Sequence, residues 1–245
     1  MLEIVQTADG SNTIYNSLVG ENYHSKYGAL QESRHVFINS GLCYYLDDVL
    51  SKVSPPTGGG DPIAIGLEGA VEAVSVSILE VGFGTGLNFL LSADACSAKK
   101  IHLDYTGIEA WPLTREMIGQ TGYDQYVSPD IWQSFVGNYG TLFNASTILN
   151  AGCKLQIAHY KLLDFSSKDQ FDIIYFDAFA VANQPEIWDE TAITHTLRFL
   201  KPGGVFVTYA ITGNLKRTLK ALGCKVEKAP GAPGKREMLR AVKNT

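Results

Sequence analysis

The chain has 245 residues, of which 45% are hydrophobic and 18% are charged, and its formal net charge is −5. This length suffices to bury one sizeable α/β core, and the composition is too apolar for a disordered protein. No apolar run approaches the ~20 residues that a membrane-spanning helix needs, and the first residues lack the features of a signal peptide.

The cysteines and histidines indicate neither a disulfide framework nor a metal site. The four cysteines are Cys43, Cys96, Cys153 and Cys224. They are far apart and form no C-x-x-C pair. Three histidines, His35, His159 and His195, are not spaced as metal ligands, and a structural role explains each of them better. We therefore expect a cytoplasmic protein with reduced thiols, no metal and no membrane partner.

Charge is distributed unevenly along the chain. Residues 201–245 carry ten Lys and Arg side chains but only two Glu, whereas the rest of the chain is acidic. A basic end on an acidic body indicates a face for an anion such as a nucleic acid. A solvated helix face explains the same charges equally well.

The first 73 residues predict an extension that begins with a β-hairpin. Residues EIVQT and NTIYN flank an Asp9–Gly10 turn, and Asp-Gly favours the positive φ angles of a tight hairpin. Residues 17–50 mix polar and apolar positions. The stretch SPPTGGG at 54–60 opposes both helix and strand, so we expect a loop there.

From about residue 74, predicted strands and helices alternate. The strands are VSVSILEV, HLDYTGIE, KLQIA, FDIIYFD, GGVFVTYA, KVEKA and EMLRAV. The helices are LNFLLSADAC, TAITHTLRFL and NLKRTLKALG, the last one closed by Gly223, and residues 112–150 predict a helical insertion. Such alternation is typical of a doubly wound, mostly parallel sheet, and the last two strands break it as an antiparallel edge hairpin.

We therefore expect an α/β protein with a seven-stranded, Rossmann-like sheet. Residues 1–245 should form a single domain. Within it, residues 1–73 are the extension and residues 74–245 are the ligand-binding core.

The segment GFGTG at 82–86 lies between the first parallel strand and its helix. Glycines allow a sharp turn and a close approach of a ligand to the helix N-terminus, which is the first ligand-binding turn of an open α/β sheet. Glycines that serve only the turn are the alternative. The third glycine comes one residue earlier than in G-x-G-x-x-G, which favours a nucleoside over a dinucleotide.

Two acids end predicted strands at the same edge. Glu109 ends the second strand, where a carboxylate can accept both ribose hydroxyls of a nucleoside, although an ordinary exposed glutamate is the alternative. Asp177 ends the apolar strand FDIIYFD. A carboxylate is costly to bury there unless it meets a ligand or is hydrogen-bonded, and capping the next turn is its alternative role.

These features together resemble class I S-adenosylmethionine-dependent methyltransferases. Longer blocks resemble the methyltransferase domain of the MnmC family: YHSKYGALQESRHVFINSGL at 23–42, EVGFGTGLNFLL at 80–91, IEAWPLT at 108–114, FDAFAVANQPEIW at 176–188 and GKREMLRA at 234–241. The blocks span nearly the whole chain, and GFGTGLNF combined with GKREML is specific to that family.

The resemblance implies an S-adenosyl-L-methionine-dependent methyltransferase that acts on tRNA. Its reaction would convert 5-aminomethyl-uridine, with or without a 2-thio group, to 5-methylaminomethyl-uridine at the wobble position. Many family members carry a second, FAD-dependent domain that generates this amine. The present chain has no room for that domain, so we expect a separate oxidase to act on the same modification.

The resemblance also implies roles for individual residues. Asp177 is the expected catalytic residue, which would hold the acceptor ammonium and either take its proton or only orient the amine. The expected cofactor-binding residues are Glu80, Gly82, Gly84, Gly86, Asn88, Glu109 and Asp164. The expected substrate-binding residues are Phe179 and Trp188, stacked on the flipped uracil, and Lys235 and Arg236, bound to phosphate. Core roles for the two aromatics and an Arg236–Glu237 ion pair are the alternatives.

Two departures from the family pattern affect these assignments. The family often has Asp-Gly-Phe-Ala-Pro where this chain has DAFAV at 177–181, which changes the acceptor pocket. After the third strand, where the family has an acid that contacts adenine, the chain reads AHYKLLD at 158–164. Asp164 is the candidate for this acid, and the sequence alone does not fix the register.

Three other functions are compatible with parts of the pattern. A methyltransferase of a small-molecule amine would keep the cofactor site but would not need the basic C-terminal end. A non-catalytic tRNA-binding relative would not need the glycine turn together with Glu109 and Asp177. A nicotinamide dehydrogenase fits least, because the glycine spacing differs and a substrate domain is missing.

Overall fold

A computed structural model describes residues 1–53 and 74–245. The loop predicted at 54–60 lies outside the described residues. The N-terminal segment forms a small antiparallel sheet of β1 (Leu2–Gln6), β2 (Asn12–Asn16) and β3 (Glu21–Asn22). Its first turn contains Gly10 at φ +85°, which confirms the predicted hairpin, and β3 adds a third strand to it.

Helical structure joins this small sheet to the core. It consists of α1 (Ala29–Ser33), a π-helix over Arg34–Cys43 and α2 (Tyr44–Val53). Gly41 of the π-helix lies against the main sheet so closely that a Cβ there would stand 3.0 Å from Tyr175 and from Val207. The absence of a side chain at this position therefore lets the helix pack directly onto the strands.

The main sheet has eight strands within residues 1–53 and 74–245. They are β4 (Ser75–Val81), β5 (His102–Ile108), β6 (Thr147–Asn150), β7 (Cys153–Ala158), β8 (Phe171–Phe176), β9 (Leu200–Thr208), β10 (Cys224–Pro230) and β11 (Glu237–Lys243). Their spatial order is β10-β11-β9-β8-β4-β5-β7-β6. The five strands from β9 to β7 are parallel, and β6, β10 and β11 pair antiparallel.

The helices of the core follow the strands in the expected order. They are α3 (Leu87–Ala98), α4 (Arg115–Gly119), α5 (Pro129–Asn138), α6 (Glu190–Leu197) and α7 (Gly213–Ala221). Three of them begin at a side chain that accepts a backbone N–H of the first turn, namely Thr114, Asp189 and Thr212. Gly223 follows the end of α7 at φ +81°, as expected for a glycine after a helix C-terminus.

The doubly wound α/β fold and its antiparallel C-terminal hairpin are confirmed. The sheet has one strand more than predicted, because β6 lies inside the segment predicted as a helical insertion. Strand β6 has four residues and pairs with β7 at the sheet edge. So short a strand shows too few alternations for its period to be read from sequence.

The strand order places a ligand crevice in the middle of the sheet. Strand β4 lies between β5 and β8, and the chain runs outward from β4 in both directions, so this is a topological switch point. Apolar side chains cover both faces of the sheet in two buried clusters. In the described parts of the chain, no helix combines the length and apolar character that crossing a membrane requires.

Candidate functional site

A cavity of about 880 Å³ opens at the carboxyl ends of the parallel strands. Sites for small molecules usually have volumes of ~300–1,000 Å³. The turns after β4, β5, β7 and β8 form one wall. The opposite wall comes from the N-terminal segment, including Asn16, Leu18, Tyr23 and His24. The small N-terminal sheet and the main sheet therefore enclose the cavity together.

The glycine turn brings the backbone close to this cavity. Gly82, Gly84 and Gly86 have φ angles of +87°, +52° and +78°. A Cβ on Gly82 would collide with the carbonyl oxygen of Asp177, and a Cβ on Gly84 would stand 2.8 Å from the Tyr23 ring. Gly86 instead begins α3 and faces Phe135 in the core. Gly82 and Gly84 line the cavity, whereas Gly86 shapes the turn from behind.

Glu109 ties the glycine turn to the end of β5. Its carboxylate accepts the Gly84 N–H at 2.8 Å and the Trp111 N–H at 2.9 Å. Burial raises the pKa of Glu109 above its usual range. A carboxylate offers about four acceptor positions, so two backbone bonds leave capacity for the hydroxyls of a ligand. Glu109 lies on the cavity wall, as its expected contact with a ribose requires.

Asn88 links two carboxyl groups with one amide nitrogen. Its Nδ2 donates to Glu80 Oε1 and to Asp177 Oδ2, both at 2.8 Å. The other oxygen of Glu80 accepts the Tyr105 hydroxyl at 2.8 Å, and Glu80 is only 1% exposed. Burial therefore raises the pKa of Glu80 well above its usual range. Glu80 supports Asn88 from inside the core and is not among the described residues that line the cavity.

Asp177 lies on the cavity wall directly after β8. Its N–H donates to the Val81 carbonyl at 2.8 Å, which joins the ends of β8 and β4. Burial and the nearby Glu32 carboxylate raise the pKa of Asp177 to about 8. Because a carboxyl with a raised pKa binds protons well at neutral pH, Asp177 is the candidate acid–base group of the site.

The aromatic wall differs from the one predicted. Phe179 lines the cavity, and its ring lies edge-on to Tyr23 with centroids 5.0 Å apart. Trp188 is 4% exposed, packs on Phe176, and donates its indole N–H to the Phe179 carbonyl at 2.7 Å. It is a core residue that supports Phe179 and is not among the described residues that line the cavity, so its expected stacking on the substrate has no support here.

Asp164 is not brought into the site. It is exposed at the end of a short 3₁₀-helix, Leu162–Asp164, in which Leu162 faces the cavity and Asp164 is not among the described lining residues. The expected contact of Asp164 with adenine therefore has no support here. His159 and Tyr160 are the polar residues of this loop that line the cavity.

The two basic residues near the last turn lie outside the cavity lining. Lys235 forms an ion pair with Glu32, so its ammonium is not free to bind a phosphate. Arg236 is exposed, and Glu237 pairs with Lys228 at 3.2 Å, so the alternative Arg236–Glu237 ion pair is not formed. Arg236 therefore stays available to an anion, whereas Lys235 is engaged inside the protein.

Two residues of the cavity were missed by the sequence interpretation although they belong to the block YHSKYG. Tyr23 covers the glycine turn, and His24 lies beside it with Nδ1 2.9 Å from the Thr13 hydroxyl. Burial lowers the pKa of His24 to about 4, so this ring is neutral at physiological pH. The clustering of polar and aromatic residues in a region without clear periodicity was the signal that could have indicated them.

The described histidines, cysteines and acids do not form a metal site. Across residues 1–53 and 74–245, no group of three or more His, Cys, Asp or Glu side chains is arranged to hold a metal ion. His35 and His195 each contact a backbone carbonyl, of Pro230 at 2.7 Å and of Phe165 at 2.9 Å.

The chain is similar to known proteins over most of its length. Residues 129–244 match the family described as S-adenosyl-L-methionine-dependent methyltransferase. The "tRNA 5-methylaminomethyl-2-thiouridine biosynthesis bifunctional protein MnmC" of Polaromonas naphthalenivorans is 26% identical over 95% of this chain and 34% of its own length. The protein of the same name from Leptospira interrogans is 32% identical over 66% of this chain and 26% of its own length. The chain thus spans about a third or less of these relatives.

A solved structure supports the fold. The crystal structure of MNMC2 from Aquifex aeolicus superimposes with a TM-score of 0.72 at 21% identity, covering 98% of this chain and 70% of that chain. The arrangement of the main sheet and its N-terminal cover is therefore one that a known protein also has.

The cavity fits the cofactor of the matching family. Asn88 is 2% exposed, and its carbonyl oxygen Oδ1 is buried without a hydrogen-bond partner among the described residues. A buried acceptor without a partner is costly unless a ligand donates to it, and an ammonium such as that of S-adenosyl-L-methionine is a suitable donor. Glu109 has acceptor positions that a ribose could use, and the backbone of Gly82 and Gly84 lines the cavity at the turn. In its fold, in the family match over residues 129–244 and in its relatives, the chain is similar to the S-adenosyl-L-methionine-dependent methyltransferases.

Proposed function

We propose that this chain methylates the primary amine of 5-aminomethyl-uridine at the wobble position of tRNA, giving 5-methylaminomethyl-uridine. The observation that carries the proposal is the Asp177 carboxyl, which lies on the wall of the cofactor-sized cavity and has a raised pKa. The names of the MnmC relatives, which align with 95% and 66% of this chain, support this acceptor.

The acceptor amine must become neutral before it can attack. When bound, S-adenosyl-L-methionine supplies a methyl group on a sulfonium. In its ionised form, Asp177 would hold the acceptor ammonium by charge and accept its proton, which leaves the nitrogen with a free electron pair. Asn88 fixes Asp177 Oδ2 by a 2.8 Å hydrogen bond, so the carboxyl is oriented before the substrate arrives.

The uracil ring would occupy the aromatic part of the cavity. Tyr23 and Phe179 come from opposite walls and stand edge to face. Bases extruded from a nucleic acid stack on aromatic rings, and an anticodon loop presents its bases in single-stranded form. A flipped wobble base would therefore reach the amine-binding end of the cavity at Asp177.

A basic depression lies apart from the cavity and fits an RNA backbone. It has a volume of about 480 Å³ and is lined by Lys216, Arg217 and Lys220 of α7, together with Lys228. Within the part of the chain that the structure describes, Lys216, Arg217 and Lys220 form no ion pair, whereas Lys228 has Glu237 as its partner. Cations without acidic partners are the expected footprint of phosphate contacts.

The proposal includes the cellular setting of the reaction. We place residues 1–245 in the cytoplasm as one methyltransferase unit, which acts on an amine that an FAD-dependent oxidase produces on the same tRNA.

The direct test is single-turnover methylation with saturating S-adenosyl-L-methionine. Transfer RNA that carries 5-aminomethyl-uridine should gain one methyl group at this base, whereas tRNA without the modification should gain none. The Asp177→Asn variant should bind the cofactor as before but react ~10²–10⁴-fold more slowly, because the amide cannot accept a proton. A raised pH should partly restore its rate, since more amine then arrives neutral.

Other results would overturn the proposal. Methylation of free amines but not of the tRNA would indicate a small-molecule methyltransferase. Binding of tRNA without any methyl transfer would indicate a non-catalytic relative. Loss of cofactor binding in Asp177→Asn would assign this residue to the cofactor site instead.

A further inference from the structure

A partly buried ion pair lies near the Asp177 end of the cavity. Glu32 of α1 is 6% exposed, and one of its carboxylate oxygens pairs with Lys235 Nζ in the loop between β10 and β11. The other oxygen accepts the Ser25 N–H at 2.8 Å. The pair therefore joins an N-terminal helix to the C-terminal hairpin, and both charges are held in fixed places.

Tyr209 connects this pair to the segment that carries Asp177. Lys235 Nζ lies over the Tyr209 ring, 3.9 Å from its centroid. The Tyr209 hydroxyl donates to the carbonyl of Ala178, the residue after Asp177, at 2.8 Å. Neither Glu32 nor Lys235 is among the described residues that line the cavity. Their charges thus act on Asp177 from behind, without contact with a ligand.

We propose that Glu32 and Lys235 are positioning residues that together tune how readily Asp177 accepts a proton from a cationic acceptor. The inference rests on the proposed methylation of an amine. The Glu32 carboxylate disfavours negative charge on Asp177, and the Lys235 ammonium favours it. Because these two effects oppose each other, the Asp177 carboxyl is neither permanently charged nor permanently protonated.

The surroundings of Asp177 support this balance of charges. Glu32 raises the pKa of Asp177 and Lys235 lowers it; Glu21, bonded to the Ala180 N–H at 3.0 Å, raises it as well. Asn88 lowers it by its hydrogen bond. The other ionisable groups that interact with Asp177 are Glu80, behind Asn88, and the phenols of Tyr105 and Tyr209.

A raised pKa improves the match between Asp177 and an amine. In the transfer, one N–H bond of the ammonium breaks, the proton goes to an Asp177 carboxylate oxygen, and the electron pair stays on nitrogen. An alkyl ammonium has a pKa of ~10.4 and an ordinary Asp a pKa of ~3.9, so an unperturbed carboxylate would be a very weak base for it. Raising the pKa of the carboxyl reduces the difference between its pKa and that of the ammonium, which favours the neutral amine.

Carbon-13 NMR of Asp side-chain carboxyls in the full-length protein measures this effect directly. The Asp177 signal is identified by its loss in Asp177→Asn and is followed from pH 5 to pH 10. Glu32→Gln should lower its titration midpoint by about 1 pH unit, because a like charge is removed. Lys235→Met should raise the midpoint by a similar amount. A purely structural role would not shift the midpoint in opposite directions.

Glu227→Gln is the matched control. Glu227 pairs with Arg240 at 2.9 Å in the same hairpin and does not face Asp177. This variant should leave the midpoint unchanged. If Glu32→Gln has the same titration midpoint as Glu227→Gln, the inference is overturned. This comparison tests the inference even if Lys235→Met does not fold.

A kinetic experiment separates this inference from the proposed function. In single-turnover methylation of the aminomethylated tRNA, the acidic limb of the rate profile should move to lower pH in Glu32→Gln, and the plateau rate should fall. If the wild-type protein methylates no tRNA but the NMR midpoints shift as described, the proposed substrate is wrong and the tuning of Asp177 stands. If methylation occurs and the midpoints do not move, the tuning is wrong and the substrate stands.

Discussion

Asn88 organises the reactive end of the cavity by holding Glu80 and Asp177 with a single amide nitrogen. Two carboxyl groups so close in a buried place cannot both be charged without cost, and burial raises the pKa of each. The arrangement keeps Asp177 oriented and basic. At the scale of single residues, therefore, this geometry would orient the proton acceptor that we propose before any substrate is present.

The raised pKa of Asp177 makes the stability of the protein depend on pH. With a pKa of about 8 in the folded state and ~3.9 in the unfolded state, the folded protein binds more protons between these values. The free energy of unfolding should therefore decrease as pH rises from about 4 to 8. Asp177→Asn should remove this decrease and be more stable than wild type at pH 9 by roughly 1–2 kcal/mol.

Urea unfolding at pH 5 and pH 9 measures this difference. Equal changes in the two proteins between these pH values would contradict the raised pKa. Asp189→Asn is a suitable control, because Asp189 caps α6 away from the cavity and Asn is an equally good helix cap.

The sequence predicts the residues of the site better than it predicts their partners. Gly82, Gly84, Glu109 and Asp177 follow strands at one sheet edge, so their convergence follows from the fold. The ion pair between Glu32 and Lys235 joins residues 203 positions apart, and no local pattern indicates it. The sequence does not predict the burial of Trp188 either, because an aromatic residue in a loop can lie in the core or line a binding site.

At the scale of elements, the turn between β4 and α3 is the part of the site least able to accept a side chain. Gly84 has a φ of +52°, and its missing Cβ makes room for Tyr23 from the N-terminal segment. The turn and the cover of the cavity are therefore fitted to each other.

Gly84→Ala should weaken both folding and ligand binding. The left-handed backbone and the contact with Tyr23 together should cost roughly 2–4 kcal/mol. Affinity for S-adenosyl-L-homocysteine, measured by calorimetry with a chelator present, should fall at least about tenfold. Gly137→Ala in α5 is the control, because a Cβ there meets no atom within 4 Å. Unchanged affinity in Gly84→Ala would remove the turn from the cofactor site.

Helix α7 carries the cations that we assign to RNA. Removing one cation that binds a phosphate should reduce the salt dependence of tRNA binding by ~0.7–0.9 in the logarithmic slope. Replacing Lys216, Arg217 and Lys220 by Ala should therefore flatten the slope by about 2–3, without change in affinity for S-adenosyl-L-homocysteine. Filter binding of tRNA over a range of salt concentrations gives the slope.

A triple variant of equal charge change serves as the control. Lys99, Lys100 and Lys154 are exposed at the opposite edge of the sheet, at the amino ends of β5 and β7. Their replacement by Ala should leave the slope unchanged. If both triple variants flatten the slope equally, the effect is one of net charge and α7 is only a solvated face.

The elements themselves were predictable where their hydrophobic period is long. Strand β8 and helix α3 lie close to their predicted positions, because a continuous apolar run and a helical period are strong signals. Strand β6 was not predictable, because four residues are too few to show a period. The π-helix Arg34–Cys43 was not predictable either, because it packs on the sheet through long-range contacts such as that of Gly41.

On the scale of the whole molecule, the cavity is a product of two sheets. The main sheet supplies the glycine turn and the acids, and the N-terminal segment supplies Tyr23 and His24 on the opposite side. The C-terminal hairpin adds Lys235 behind the same place. Residues from both ends and the middle of the chain therefore meet at the site, which agrees with the sequence blocks that resemble MnmC proteins along the whole chain.

We propose that this assembly transfers a methyl group to the amine of a tRNA wobble base. The most direct measurement is mass spectrometry of nucleosides from tRNA that carries 5-aminomethyl-uridine, after incubation with the full-length chain and S-adenosyl-L-methionine. The wild-type protein should convert this nucleoside to 5-methylaminomethyl-uridine, and Asp177→Asn should convert little of it in the same time. Unchanged 5-aminomethyl-uridine with a folded, cofactor-binding wild-type protein would contradict this proposal.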